Sequence, residues 1–177
     1  LSCGSSLSWW LEKIQKTSDY DGEIKQVDIR HLGESSVLFY PHLVGDKTIY
    51  ADPKLRGSFV GIGTEVSRVD MTIAVLEGIC LGVRQLTESM KIPKEQLKNL
   101  HVTGGGAKNE VWMQILSDVL NVPVVQMESN TGAGYGIALI AAQADGEDIQ
   151  EILSRTIIEK NKFYPREYNV QLYNKKY

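Results

Sequence analysis

Only two of the 177 residues are cysteine, Cys3 and Cys80, and Cys80 sits inside an apolar stretch with helical spacing. A disulfide framework of the kind that braces small secreted domains is therefore excluded, and a reducing cytoplasm is the expected setting. Positive charge is also short. Nineteen lysines and arginines against 22 aspartates and glutamates give a net charge of −3, and the lysines are scattered apart from Lys175-Lys176. Such a surface lacks the cationic footprint that a nucleic-acid backbone demands. Long apolar runs are missing too: Glu77 and Arg84 interrupt the longest, which leaves nothing of bilayer-spanning length, and no leader with a cleavage site is visible. The three histidines, His31, His42 and His101, have no ligand spacing to one another or to the cysteines, which argues against zinc.

What remains is ordinary globular material, 42% hydrophobic and 23% charged, enough to offset the ordering entropy of one compact domain. The sequence starts at Leu1 rather than Met, and its first residues already lead into a helix, which suggests a piece of a longer polypeptide. Apolar spacing predicts a helix over about Ser6 to Gln15, a turn at Asp19 to Gly22, a weaker helix to about His31, and a strand over Val37 to Tyr40. A polar, turn-rich loop from His42 to Gly57 leads to a strand at Ser58 to Ile62. The strongest helix carries Val69, Ile73, Leu76, Cys80, Val83 and Met90 on its apolar positions, with Ser67 as its cap. A short helical segment follows Ile92-Pro93. A strand at Leu100 to Thr103, a helix from about Asn109 to Leu120, a strand at Pro123 to Val125 and a small-residue helix from Gly132 to Ala144, closely packed on a neighbour, come next. Helices near Asp148–Ser154 and Arg166–Tyr173 end the pattern. Strands alternating with helices imply parallel pairing with crossover helices.

The informative element is Thr103-Gly104-Gly105-Gly106-Ala107-Lys108-Asn109, between a strand and a helix. Glycines here let backbone amides approach a ligand without Cβ obstruction, and a helix N-terminus favours anions, so phosphate is the natural guest. Neither common phosphate device fits. Asn109 follows Lys108 where a P-loop needs Ser or Thr, and Asn109 stands where a dinucleotide fingerprint needs its third glycine. Spacing alone leaves a ligand-free structural turn equally open. Asp46, Asp52 and Arg56 in the long loop read as structural, as do Glu77 and Arg84, seven apart on one face of the core helix. Trp9, Trp10 and Trp112 read as packing aromatics.

Thr103 to Asn109, extended by Trp112, Gln114, Ile115, Asp118, Val119 and Pro123, resembles the adenosine-binding signature of the FGGY carbohydrate kinases, especially their xylulose kinase branch. Asp52-Pro53-x-x-Arg56-Gly57-x-Phe59-x-Gly61 resembles the family's central signature, Ala74 to Gly78 its core helix, and Gly4 to Trp9 its Gly-(Ala/Ser)-Ser-x-x-Trp helix. The loop Pro41 to Ile49 and the run Gly132 to Gly136 depart from the family pattern.

The resemblance implies an α/β fold, an actin-like ATPase (ribonuclease H-like) lobe with a mixed sheet flanked by helices. Residues 1–177 would be the C-terminal nucleotide-binding lobe of a two-lobe sugar kinase. Gly104, Gly105, Gly106 and Asn109 would contact ATP or ADP, carried with Mg2+, while Gly4 and Ser8 line the same pocket. The catalytic base, the phosphate-binding glycine-threonine turns and most sugar contacts would belong to the other lobe, so the chain alone carries no catalytic residue and essentially no kinase activity. D-xylulose is the expected sugar, with gluconate, ribulose or another sugar of this family as alternatives. A non-catalytic actin-like nucleotide-binding module is the reading from another class. Pairing of the full-length protein into a homodimer stays open.

Overall fold

The computed structural model describes residues 3–93, 96–128 and 132–177. Its first helix, α1 (Cys3–Ser8), passes without a break into a π-helical turn over Trp9–Ile14. The amide of Gln15 reaches back five residues to the Trp10 carbonyl at 2.9 Å, the wider spacing of a π turn. Leu7, Trp10 and Leu11 point into the core. The segment expected as a turn at Asp19 is instead the start of α2 (Tyr20–Lys25): the Asp19 carboxylate accepts the Gly22 amide at 2.9 Å, so an Asp-and-Gly composition serves here as a cap. That helix stops at Lys25, and a separate 3-10 turn, Ile29–His31, follows under its own cap, Asp28.

Strands β1 (Leu38–Tyr40) and β2 (Ser58–Val60) pair antiparallel, with Phe39 opposite Phe59. Gly61 ends β2 with φ +85°, where an added Cβ would lie 2.6 Å from the Ser36 carbonyl. The loop between the strands is tied from inside. Asp46 Oδ1 accepts the amides of Thr48, Ile49 and Tyr50 at 3.1, 2.7 and 3.0 Å, and Arg56 turns back onto the carbonyls of Pro53 and Leu55. These residues build the loop, as the sequence implied.

The central element is α3 (Arg68–Ser89), opened by a capping box between Ser67 and Asp70. Thr72 through Cys80 are buried on every side, so this helix runs through the middle of the lobe and does not lie on its surface. β1 crosses it at Gly78, where any Cβ would sit 2.1 Å from the Phe39 carbonyl.

A second sheet holds β3 (Leu100–Val102), β4 (Val124–Met127) and β5 (Glu159–Phe163) in that order. β3 and β4 run parallel because α4 (Glu110–Leu120) carries the chain between them. The expectation of parallel pairing holds only there. β1 and β2 are joined by a loop without a helix and pair antiparallel, and β5, which the sequence pattern did not reveal, lies antiparallel on β4. Its Glu-Lys-Asn-Lys composition hid it, yet charge is what an exposed sheet edge requires.

The last helices are α5 (Ala133–Ala144), α6 (Ile149–Thr156) and α7 (Glu167–Lys176). α7 returns to the core and inserts Tyr173, whose hydroxyl donates to the buried Glu77 at 2.9 Å. Close packing of α5 is not observed: Ile137 and Ile140 are each 68% exposed, Cβ atoms built on Gly134 and Gly136 would meet nothing, and Tyr135 bonds Thr156 of α6. The short helix expected after Pro93 falls on Lys94 and Glu95, outside the described residues. No helix is long and apolar enough to cross a membrane among the described residues.

Candidate functional site

The glycine turn joins β3 to α4, and each of its glycines answers to a different constraint. Gly104 has φ +98° and ψ −177°, a conformation essentially reserved for glycine. Gly106 lies over the Trp112 ring, and a Cβ there would be 2.6 Å from it. Gly105 is held by neither: its φ is not positive, and an added Cβ would meet no atom within 4 Å. Its bare backbone opens outward.

Residues Gly105–Lys108 form a 3-10 turn in which Ala107 N donates to Gly104 O at 3.2 Å and Asn109 N to Gly106 O at 3.1 Å. The amides of Gly105 and Gly106 have no acceptor among the described residues, as expected for the first donors of a helical turn. The turn is anchored from the sheet. Buried Gln126 on β4 donates to the Ala107 carbonyl at 2.7 Å, and Asn161 on β5 donates to Gln126 at 3.0 Å. Asn109 caps α4 by accepting the Trp112 amide on Oδ1 at 2.9 Å. No hydrogen bond of the amide nitrogen of Asn109 occurs among the described residues, so its donors are left for another partner.

Opposite stand α1 and α2. Gly4, Leu7 and Ser8 from α1 and Tyr20, Asp21 and Ile24 from α2 face Gly105, Gly106, Lys108, Asn109 and Trp112 across a cleft of about 410 Å³. That volume is in the range of small-molecule sites, roughly 300–1,000 Å³. Leu7, Ile24 and Trp112 make an apolar floor, and Ser8, Asp21, Lys108 and Asn109 supply a polar rim. The Tyr20 hydroxyl lies 2.7 Å from both Ser8 Oγ and Glu12 Oε1. The hydrogen bond with Ser8 pulls the Tyr20 phenol down, but the Glu12 carboxylate and burial outweigh it and leave the phenol raised above its ordinary value.

Gly4, Ser8, Gly105, Gly106 and Asn109 therefore meet in one cleft although the sequence separates them by up to 105 positions (109 − 4). Gly104 does not join them. It faces a neighbouring cavity of about 300 Å³ at the ends of β3 and β4, with Thr103, Lys108, Gln126, Glu128 and Lys160. Sequence reasoning missed the α2 wall and the Gln126–Asn161 anchor, since both come from segments without a motif. The other singled-out residues lie elsewhere. Glu77 is buried and accepts Gly33 N at 2.8 Å, Tyr173 Oη at 2.9 Å and Lys176 Nζ at 2.7 Å. Arg84 bonds Asn174 Oδ1 at 2.8 Å and Glu88 Oε1 at 3.0 Å, and its guanidinium covers the Tyr177 ring. Both residues clasp α7. Trp9 stacks on Phe39, and Trp10 donates to Thr72 Oγ1 at 2.9 Å. No group of three or more His, Cys, Asp or Glu suited to a metal ion occurs among the described residues.

A mixed α/β lobe with a glycine turn at the end of a parallel strand and a helical wall across a cleft has the architecture of one lobe of an actin-like ATPase fold. The chain belongs to the FGGY family of carbohydrate kinases: residues 2–144 match that family's C-terminal domain. It is 33% identical over 178 residues to a xylulose kinase of Bacillus subtilis (strain 168), covering 98% of this chain and 35% of that protein. A gluconokinase of Bacillus licheniformis is 29% identical over 161 residues, covering 88% of this chain and 31% of the relative. Among solved structures, the xyloylose kinase from Brucella ovis superposes with a TM-score of 0.83 at 28% identity, over 97% of this chain and 35% of that one. The chain thus spans about a third of the length of these relatives.

Proposed function

We propose that residues 1–177 act as the C-terminal nucleotide-binding lobe of a two-lobe, ATP-dependent sugar kinase. The observation that carries this reading is the convergence of Gly105 and Gly106, whose amides have no acceptor among the described residues, and of Asn109 on a single cleft with an apolar floor. Those groups fit an adenine nucleotide. A flat base covers Leu7, Ile24 and Trp112, and the anionic tail meets main-chain donors at a turn that Gln126 holds rigid. Gly4 and Gly105 support it further, since the space beyond both is open and the lobe itself gives no reason for either to lack a side chain. Mg2+ would arrive on the nucleotide's phosphates and neutralise charge developing during transfer.

In this reading the chain binds and orients the phosphoryl donor, while the base that takes the sugar's proton lies in the other lobe. The reaction is transfer of the terminal phosphate of ATP to D-xylulose, giving xylulose 5-phosphate, in the cytoplasm. The match to xylulose kinases supports that sugar, and the gluconokinase relative supports gluconate as the second reading. Turnover of the full-length protein against both sugars separates them.

The nucleotide site itself is tested by calorimetric titration of the chain with ADP. Asn109→Asp keeps an oxygen for the Trp112 amide but replaces the remaining donor with an acceptor and a negative charge. ADP binds the wild type weakly, and the substitution lowers affinity by about tenfold or more, the equivalent of one lost hydrogen bond of roughly 1.4 kcal/mol. Equal affinity in both proteins contradicts the proposal.

A further inference from the structure

The two outer strands of the β3–β4–β5 sheet are built differently. β5 carries Glu159, Lys160 and Lys162, the kind of charge by which an exposed edge resists pairing with another strand. β3 is Leu100-His101-Val102, without a lysine, a proline or a bulge, and no strand pairs with its far side among the described residues. It has the composition of an inner strand and the position of an edge.

α5 is bare in a similar way. Its 12 residues include no Asp, Glu, Lys or Arg, and none of its described side chains is buried. Gly134, Ile137, Ala138 and Ala141, at steps of three and four, form one exposed face, and Ile140 and Ala144 widen it. Tyr135 ties the helix to Thr156 of α6. A helix apolar on all sides is the kind that lies covered, and the bare glycines leave room for a close cover.

The chemistry of that cover follows from the two features. The main-chain groups along β3 fit an extended backbone, and the uncharged face of α5 fits the alternating apolar side chains of a strand. Helices of an α/β sheet pack across its faces, so a sheet widened past β3 offers α5 a surface to lie on. Its source follows from length. The family match is to a C-terminal domain, and the chain covers 35% of the Bacillus subtilis relative, so most of such a polypeptide precedes the matched region.

We propose that the sheet of this lobe continues past β3: an apolar strand of the same polypeptide, upstream of Leu1, pairs with β3 and lies beneath α5. The proposal stands apart from the nucleotide reading, since neither β3 nor α5 lines that cleft.

Hydrogen–deuterium exchange of the 177-residue chain beside the full-length protein tests it, read at residues 100–103 and 133–144. Both segments exchange at least about tenfold more slowly in the full-length protein, while α3 is equally protected in the two. Ile140→Lys, a surface change in the chain alone, leaves its thermal midpoint unchanged and lowers that of the full-length protein by several degrees. Equally fast exchange of the two segments in both proteins overturns the proposal, as does an equal response to the substitution. Slow exchange of both segments in a 177-residue chain that sediments as a dimer also overturns it, because β3 and α5 then belong to a contact with a second copy.

Discussion

The side-chain oxygen of Asn109 caps the helix that begins with Glu110 by accepting the amide of Trp112, whose ring floors the cleft and lies under Gly106. One residue thus starts α4, orients its own donor and fixes the base of the site. Loss of such a cap costs about 1 kcal/mol. Asn109→Ala is expected to lower the unfolding free energy by about that amount, whereas Asn109→Asp, which retains the cap, stays close to wild type in urea melts. Equal destabilisation by both substitutions would show that the cap is not what this side chain contributes.

The glycines of the turn separate in the same way. Gly104→Ala forces a side chain into a conformation with φ +98° and costs about 1–3 kcal/mol. Gly105→Ala leaves stability within about 0.5 kcal/mol of wild type, because its Cβ meets nothing in the lobe, yet it lowers ADP affinity by standing where the phosphates approach. Denaturation and titration on the same two variants check the contrast.

Glu77 ties three distant segments together through Gly33, Tyr173 and Lys176. Glu77→Ala strands a part-buried ammonium and a buried phenol and is expected to cost about 3 kcal/mol, while Tyr173→Phe, which removes one bond of the set, costs about 1 kcal/mol. Chemical denaturation of the pair measures both.

Asp46 gives the chain a pH dependence of known sign. The Tyr50 amide foremost, with those of Ile49 and Thr48, holds its carboxyl below the usual range against the opposing effect of burial. The unfolded chain therefore takes up this proton first as the pH drops. The stabilisation is complete above the ordinary aspartate pKa of about 3.9 and is lost as pH falls through the lower folded value. The stability gap between wild type and Asp46→Asn narrows from pH 5 to pH 3; a constant gap would mean that the loop does not hold the charge.

Much of the fold was legible where pattern and local chemistry agree. The Ser67 cap, the existence of α3 and the β3–turn–α4 unit follow from spacing, since each is decided by residues close in sequence. The antiparallel β5 was not legible, because Glu159, Lys160 and Lys162 are selected by an exposed edge and carry no strand signature. The exposure of Ile137 and Ile140 on α5 was equally hidden: small residues suggest close packing but do not say against what. At the site, the glycine turn and the α1 residues came from motifs, and the structure brings five of the six into one cleft. Tyr20, Gln126 and Asn161 did not, for their roles depend on tertiary distances of 2.7 to 3.0 Å that no local pattern encodes.

The main-chain amides of Gly105 and Gly106 carry the whole account, and nuclear magnetic resonance observes them directly. Titrating ADP into nitrogen-15-labelled chain is predicted to shift these two amide signals most, followed by Asn109 and Ser8, with saturation at one nucleotide per chain. Unmoved Gly105 and Gly106 signals at ADP concentrations that saturate any other response would contradict it.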